Sequence, residues 1–235
     1  MKHFYTSDCI YFNHYNDDLI VLNIVNDSYL ILNKDYKKAF LDRDNPRAKT
    51  IYQELYKEFK VSGLLTHKFS NHQERRIDKI LDDTPKEGIA NIDWKLQYNP
   101  VVKKCKHRYF FDAYITLFKM HRLLEKKGLS GVLSNLYAHD LYYSEYRKPS
   151  NDELHNLALA LNKASFYFSK SVRCLLWSAT FVSLALKRKW QCRFVIGAQN
   201  YPFISHAWVE TWHGVLEDNQ NLPKKMAIIV KAPQL

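Results

Sequence analysis

Thirteen consecutive residues, Cys174–Leu186, carry no charge, and no other run constrains the fold as strongly. A helix needs about 20 apolar residues to cross a bilayer, so this run is too short to span one. Ser178, Thr180 and Ser183 also interrupt its apolar character. A helix that is apolar on every side has to be surrounded by the rest of the protein. The expectation is a buried helix over 172–189, stopped by Lys187-Arg188-Lys189 and Trp190. Beyond it the period changes to two. Cys192–Ala198 contains Phe194, Val195 and Ile196, and Ile204–Trp212 places His206, Trp208, Glu210 and Trp212 on one face with Ala207, Val209 and Thr211 on the other. His213-Gly214 reads as a tight turn, and Val215–Asp218 as the start of a return strand. The fold class expected from helices followed by antiparallel strands is α+β.

The front of the chain has its own pattern. In residues 8–33, Ile10 and Phe12, then Leu19, Val21, Asn23 and Val25, alternate with their neighbours, and Asn16-Asp17-Asp18 and Asn26-Asp27-Ser28 are turn clusters. This predicts a three-stranded antiparallel meander. Helical segments follow at 34–41 and 46–59, where Ile51, Leu55 and Phe59 recur at helical spacing, with a more polar one at 72–81. Residues 82–100 hold Pro85, Gly88 and Pro100 without periodicity and read as a linker. A helix over 108–127 should end at Gly128, which tolerates positive φ. Ser150-Asn151-Asp152-Glu153 is a capping box opening a helix through Leu154, Leu157, Leu161 and Phe166. The division expected is a first domain at 1–83, a linker at 84–100 and a second domain at 101–235.

Charge narrows the partners. Lys and Arg exceed Asp and Glu by 11, and the stretch 98–128 holds eight bases against Asp112 and Glu125. A solvated long-range field accounts for this as well as an acidic partner, an anionic membrane surface or nucleic acid would. No zinc-finger spacing, RNA-binding aromatic motif or basic zipper accompanies the charge, so no nucleic acid partner is expected. The four cysteines, Cys9, Cys105, Cys174 and Cys192, lie far apart without a C-x-x-C pair. That usage points to a reducing compartment rather than a disulfide scaffold. Residues 1–10 lack an apolar signal core. The expected location is cytoplasmic, with no transmembrane segment.

A cysteine attacks carbonyls as a thiolate, which is favoured at a helix N-terminus and beside a protonated histidine. Cys174 opens the uncharged helix after Ser171 and Arg173. Most lone cysteines in apolar helices are small buried hydrophobes. Here, however, a strand histidine, His206, and a later carboxylate, Asp218, follow in order. A carboxylate paired with the imidazole holds it in the tautomer that accepts a thiol proton. Glu210 competes with Asp218 for that role, since it shares the strand face of His206; its alternative is a surface ion pair. A metal site on Cys174, Cys192, His206 and His213 is a weaker reading, because no short-spaced ligand pair supports it. Cys9, Cys105 and Cys192 are expected to be structural.

The block Cys174 … Gly197 … Tyr201-Pro-Phe-Ile-Ser-His206-Ala-Trp-Val-Glu210 … Asp218 resembles the lasso-peptide leader peptidases. Asp17-Asp-Leu-Ile-Val-Leu-Asn-Ile-Val-Asn-Asp27-Ser28 is similar to that family's front end. The likeness covers both halves and is weakest between about residues 45 and 100. It implies a small winged-helix-like N-terminal domain that recognises precursor leaders, then a transglutaminase-like, papain-type cysteine protease domain with Cys174, His206 and Asp218 as catalytic triad. It also implies the substrate, a ribosomally made lasso-peptide precursor, and a partner, an asparagine-synthetase-like cyclase that closes the macrolactam ring with ATP. The chain has no G-x-x-x-x-G-K-[ST] loop and only six glycines. No bound cofactor or metal is expected, and any ATP dependence would enter through the cyclase.

A small sheet with an open edge can accept an extended peptide as an added strand. The candidate leader-binding residues are Ser28, Tyr29, Leu30, Ile31 and Leu32, with the 46–59 helix beside them. Two other functions fit the same residues: an acyltransferase or transglutaminase on the same triad, and a non-catalytic escort that carries the leader to the cyclase.

Overall fold

The structure is a computed structural model that describes residues 5, 6, 9–34, 53, 57, 65, 66, 85–91, 94, 95 and 107–233. The helices expected at 34–41, 46–59 and 72–81 fall almost wholly outside these residues, as do Cys105 and about half of the expected linker. The chain divides into two compact units. One comprises Met1–Gly88, Ala198–Ile204 and Lys224–Ile229; the other comprises Ile89–Gly197, Ser205–Pro223 and Val230–Leu235.

The first unit holds the expected meander: β1 Ile10–Tyr15, β2 Asp18–Asn23 and β3 Ser28–Leu32, antiparallel in the order β1-β2-β3. The turn residues act as their chemistry requires. Asn16 and Asp27 take φ of 52° and 51°, the left-handed region that short polar side chains tolerate. The alternation read through Val25 stops earlier. Asn23 Oδ1 accepts the Val25 N–H at 3.0 Å, which ends β2 and leaves Val25 67% exposed in the turn. Two excursions from later in the chain are bonded to the meander. Asn200 Nδ2 donates to Asp18 Oδ2 at 2.7 Å, and Asn13 Nδ2 donates to the Ile228 carbonyl at 2.7 Å. Gly88 sits at φ 73° where an added Cβ would overlap the Tyr15 hydroxyl, so this position needs glycine. A two-residue ladder also pairs Tyr5–Thr6 with Leu65–Thr66.

The second unit is built on three helices: α1 His107–Tyr137, α2 Asn151–Tyr167 and α3 Cys174–Lys187. Gly128, at φ 60° and ψ −160°, breaks α1 where a terminus was expected, but the chain resumes helix to Tyr137. The capping box at α2 is complete, with Ser150 Oγ accepting from the Glu153 N–H and Glu153 accepting from the Ser150 N–H. Acids on the basic stretch of α1 are engaged internally: Asp112 pairs with Arg188 at 2.5 Å, and Glu125 with His121 at 3.2 Å.

Helix α3 packs on α1 and, less extensively, on α2, and every residue from Leu176 to Leu186 is buried. Burying a large apolar side chain contributes about 1.5–3 kcal/mol. Leu176, Trp177, Phe181, Val182, Leu184 and Leu186 therefore outweigh the cost of the hydroxyls buried with them. Those hydroxyls are also bonded: Thr180 Oγ1 donates to the Leu176 carbonyl at 2.7 Å, and Ser178 Oγ to the Ala207 carbonyl at 3.2 Å. The four-stranded sheet has β4 Cys192–Gln199, β5 Ile204–Thr211, β6 Gly214–Leu216 and β7 Ala227–Ala232, in the order β6-β5-β4-β7. Strand β7 carried no expectation, because its six residues lie against a short turn of helix, α4 Leu222–Lys225, with no turn signal between them. Among the described residues, no helix is long and apolar enough to cross a membrane.

One buried bond fixes the roll of α3. Trp177 Nε1 donates to Asn162 Oδ1 at 2.7 Å, and both side chains are buried. In Asn162→Ala the indole N–H would lose its acceptor in a site closed to water. The expected loss of stability is roughly 1–3 kcal/mol, read as a lower urea midpoint with an unchanged slope.

Candidate active site

Cys174 is the first residue of α3, two positions nearer the helix start than the sequence pattern placed it. Its N-cap, Arg173, is extended and makes no side-chain capping bond, and the first turn holds no acid. The first N–H groups of the helix therefore keep their positive end unneutralised beside the sulfur. The burial of the rest of α3 leaves Cys174 at the edge of the core, half-buried.

His206 lies on β5, with a side chain only 1% exposed. Its Nε2 donates to Asp218 Oδ2 at 2.7 Å. The other Asp218 oxygen accepts the Asn219 N–H at 2.7 Å, which holds the carboxylate in one orientation. Asp218 does not sit on the return strand, as the sequence suggested. Strand β6 ends at Leu216, and Glu217 takes φ 53°, turning the chain so that the next carboxylate meets the imidazole. The hairpin that brings β6 back has Thr211 opposite Gly214 and a two-residue turn at Trp212-His213. With Nε2 donating to Asp218, the nitrogen left to accept a proton is Nδ1. It is buried and has no fully formed hydrogen bond among the described residues. The Trp208 ring stacks beside the imidazole at 6.2 Å and 26°, limiting its rotation.

Cys174 and His206 shift each other's proton affinity. Burial pushes the thiol up, but the neighbouring His206 imidazole, the backbone groups of Ala207 and Leu175 and the imidazolium charge outweigh it, so the thiol lies below its ordinary value. For His206, burial pulls the imidazolium down. The Asp218 hydrogen bond, the neighbouring Cys174 sulfur and the charges of both partners reverse this and lift the ring to about 9. Both shifts favour one state, a thiolate beside an imidazolium. That arrangement can attack an acyl carbon and return a proton to a leaving group.

The other candidates separate from this cluster. Glu210 accepts from Lys231 Nζ at 2.9 Å and from Trp208 Nε1 at 3.3 Å, so it is an ion-pair residue of the sheet rather than the imidazole's partner. Cys192 is fully buried, and desolvation pushes its thiol up to about 12. His213 stacks against Trp212 at 3.5 Å. Among the described residues, no three His, Cys, Asp or Glu side chains are placed to hold a metal ion. Of the leader-binding candidates, Ser28 and Leu30 are exposed, Tyr29 and Ile31 half-buried, and Leu32 buried. Strand β3 pairs with β2 on one side and, among the described residues, with no strand on the other. Sequence reasoning missed the Ala207 and Leu175 backbone groups that stabilise the sulfur. Ala207 carries a signal in retrospect, since a small residue after the histidine lets α3 approach closely enough for the Ser178 bond.

Residues 117–231 match the Transglutaminase-like superfamily. The Microcin J25-processing protein McjB of Escherichia coli is 28% identical over 125 residues, covering 52% of this chain and 58% of that protein. The chain therefore matches little more than half the length of that curated relative. No solved structure matches. The matched stretch 117–231 contains the whole motif block from Cys174 to Asp218.

Two outcomes follow from the pairings. Alkylation of Cys174 by iodoacetamide should begin at a pH below the thiol's ordinary value of 9.0. In His206→Ala, burial acts without the opposing charge, so the titration should move to higher pH; an unmoved profile would show that the pair is not coupled. Asp218→Ala should lower turnover by roughly 10²–10⁴-fold, the range for a carboxylate that orients a histidine. Glu210→Ala should stay within a few-fold of wild type, and the reverse order in steady-state assays would transfer the role to Glu210.

Proposed function

We propose that this chain, transglutaminase-like over residues 117–231 and similar to a microcin-processing protein, is a cysteine peptidase that removes the leader from a lasso-peptide precursor. The observation that carries this reading is the His206–Asp218 bond at 2.7 Å beside a helix-opening thiol of lowered proton affinity. Residues 1–83 form the leader-recognition domain, residues 84–100 the linker and residues 101–235 the peptidase domain.

Catalysis begins with proton transfer from Cys174 Sγ to His206 Nδ1. The thiolate adds to the carbonyl carbon of the last leader residue, and the oxyanion is held by the Cys174 backbone N–H and one further donor. The carbon–nitrogen bond breaks, and the His206 imidazolium gives its proton to the departing core-peptide amine. Water then hydrolyses the thioester with His206 as base, releasing the leader as a free carboxylate. Asp218 keeps the imidazolium oriented throughout and stabilises its charge. Leader recognition uses Ser28–Leu32 at the β3 edge. Main-chain bonds supply affinity there, and alternate side chains supply selectivity. The freed core amine is the natural nucleophile for ring closure, so the next enzyme is an ATP-using, asparagine-synthetase-like cyclase. ATP enters the sequence of reactions through that partner, and the whole proceeds in the cytoplasm.

The deciding experiment is mass spectrometry of the precursor encoded beside this gene, incubated with wild-type protein and with Cys174→Ala, each with and without the cyclase and ATP. The expected result is one leader–core cleavage with wild type only. Binding of the precursor without cleavage under any condition would make the protein an escort, and attachment of the leader acyl group to an amine would make it an acyltransferase.

A further inference from the structure

The carboxylate that meets His206 is carried by a short loop whose shape is fixed from within. Gln220 bonds both main-chain groups of Val215: its Oε1 accepts the Val215 N–H at 3.0 Å, and its Nε2 donates to the Val215 carbonyl. Asn219 Oδ1 accepts the Asn221 N–H at 2.9 Å, and the Asn219 carbonyl accepts the Leu222 N–H at 3.1 Å. These bonds set the curve of residues 215–222. They do not set the direction in which the loop presents Asp218, since both ends of each bond move together.

Direction comes from contacts with another element, and the start of α2 supplies two. Trp212 Nε1 donates to the Pro149 carbonyl at 2.9 Å, and His155 Nδ1 donates to Glu217 Oε1 at 3.3 Å. All of these residues lie in the second unit. Helix α2 is a firm support, because its capping box is complete and Leu154 and Leu157, which flank His155 in sequence, are buried. The His155 contact stands immediately before Asp218 in the chain. Glu217 holds φ 53°, a region that glycine occupies readily and most other residues rarely adopt. Unfavourable backbone at that step points to a role for the side chain it carries. Glycine would make the same turn, whereas glutamate makes it and also reaches the imidazole of His155. Both side chains of the pair are partly exposed, so the contact adds little to overall stability and its consequence is local.

We propose that His155 is a positioning residue: by holding Glu217, it fixes the turn that delivers Asp218 to the imidazole of His206. The inference rests on the reading of Cys174, His206 and Asp218 as the catalytic groups, and adds a fourth residue that acts on them through the loop. The line of contact runs from His155 to Glu217, along one peptide bond to Asp218, then over 2.7 Å to His206 Nε2. Once Glu217 is released, the turn relaxes, Asp218 draws away from Nε2 and the imidazolium loses its carboxylate. Burial pulls the proton affinity of the ring down, and the Asp218 bond is the largest influence opposing it. Without that bond the imidazolium is weaker support for the thiolate, and the thiol ionises at higher pH.

The test reads the thiol directly and so needs no substrate. Iodoacetamide alkylation is followed against pH, by mass spectrometry of the peptide carrying Cys174, in wild type, Asp218→Ala, His155→Ala, His155→Asn, Glu217→Gly and Glu217→Gln. His155→Ala and Glu217→Gly should each move the profile to higher pH by roughly half a unit to one unit, a three- to tenfold loss of thiolate below the midpoint. Asp218→Ala should move it further. Asparagine keeps a donor at the place of Nδ1 and glutamine an acceptor at the place of Oε1, so His155→Asn and Glu217→Gln should lie close to wild type. Combining His155→Ala with Glu217→Gly should be no worse than either alone, the mark of one shared contact. Toward the precursor, the two disruptive variants should lower kcat about three- to tenfold and leave KM within about twofold. Glycine suits φ 53°, so Glu217→Gly should fold even if His155→Ala does not. A lower urea midpoint with an unmoved alkylation profile would make the pair ordinary surface structure and overturn the inference. So would equal shifts in His155→Asn and His155→Ala. If Asp218→Ala also leaves the profile unmoved, the three groups are not coupled and the catalytic reading falls with the inference. If the profiles move as expected but wild type leaves the precursor whole, the positioning role stands and the peptidase reading alone fails.

Discussion

Helix α3 has no charge over its first thirteen residues, so it is stable only where other elements enclose it. Helices α1 and α2 pack along it, and the Ser178 bond to the Ala207 carbonyl ties it to the sheet. Complete burial of the helix body leaves one end with chemical freedom. That end carries Cys174, uncapped by any side chain and without a nearby acid. The enclosure that stabilises the fold thus also places a thiol where aligned peptide dipoles favour its ionised form. The Asn162–Trp177 bond sets the rotation of the helix, so the sulfur's direction is coupled to a residue some four turns of sequence away.

The histidine and the carboxylate are positioned by strand and turn rather than by helix. Strand β5 sends His206 inward. The Trp212-His213 turn and the left-handed Glu217 return the chain so that Asp218 meets Nε2. An imidazole this deeply buried would resist charging without partners. Asp218 on one nitrogen and the thiol near the other outweigh the desolvation cost and carry the ring to about 9. The backbone groups of Ala207 and Leu175 join strand and helix at the sulfur. Thiol, imidazole and carboxylate are therefore held by three different elements, and each is fixed by contacts beyond the three groups themselves.

The N-terminal meander shares its unit with two segments from the far half of the chain. Asn200 on Asp18, Asn13 on the Ile228 carbonyl and Phe203 on Tyr29 draw the hairpin tip and the start of β7 to the three strands. These contacts join residues about 170 or more positions apart in the chain.

Much of this was legible from local pattern. The uncharged run announced a buried helix, the period-two alternation announced β5, the Asn and Asp clusters announced the meander turns, and Ser150 with Glu153 announced the cap of α2. These features rest on short-range physics: residue period, turn chemistry and side-chain bonds to nearby backbone. The order Cys174, His206, Asp218 also pointed to the thiol, imidazole and carboxylate that the fold brings near one another. Three things were decided only by the tertiary structure. Glu210 competed with Asp218 because it shares the strand face of His206, and the two separate because Lys231 of β7 engages Glu210 while Glu217 turns Asp218 onto the imidazole. Helix α1 continues past Gly128, although the same residue with positive φ is an ordinary stop signal, because Leu129, Val132, Leu133 and Leu136 bury beyond it. The contact of Phe203 with Tyr29 has no local signature at all. Sequence determines which residues can ionise, bend or bury; which of them meet is set by long-range packing, and that depends on the whole chain closing at once.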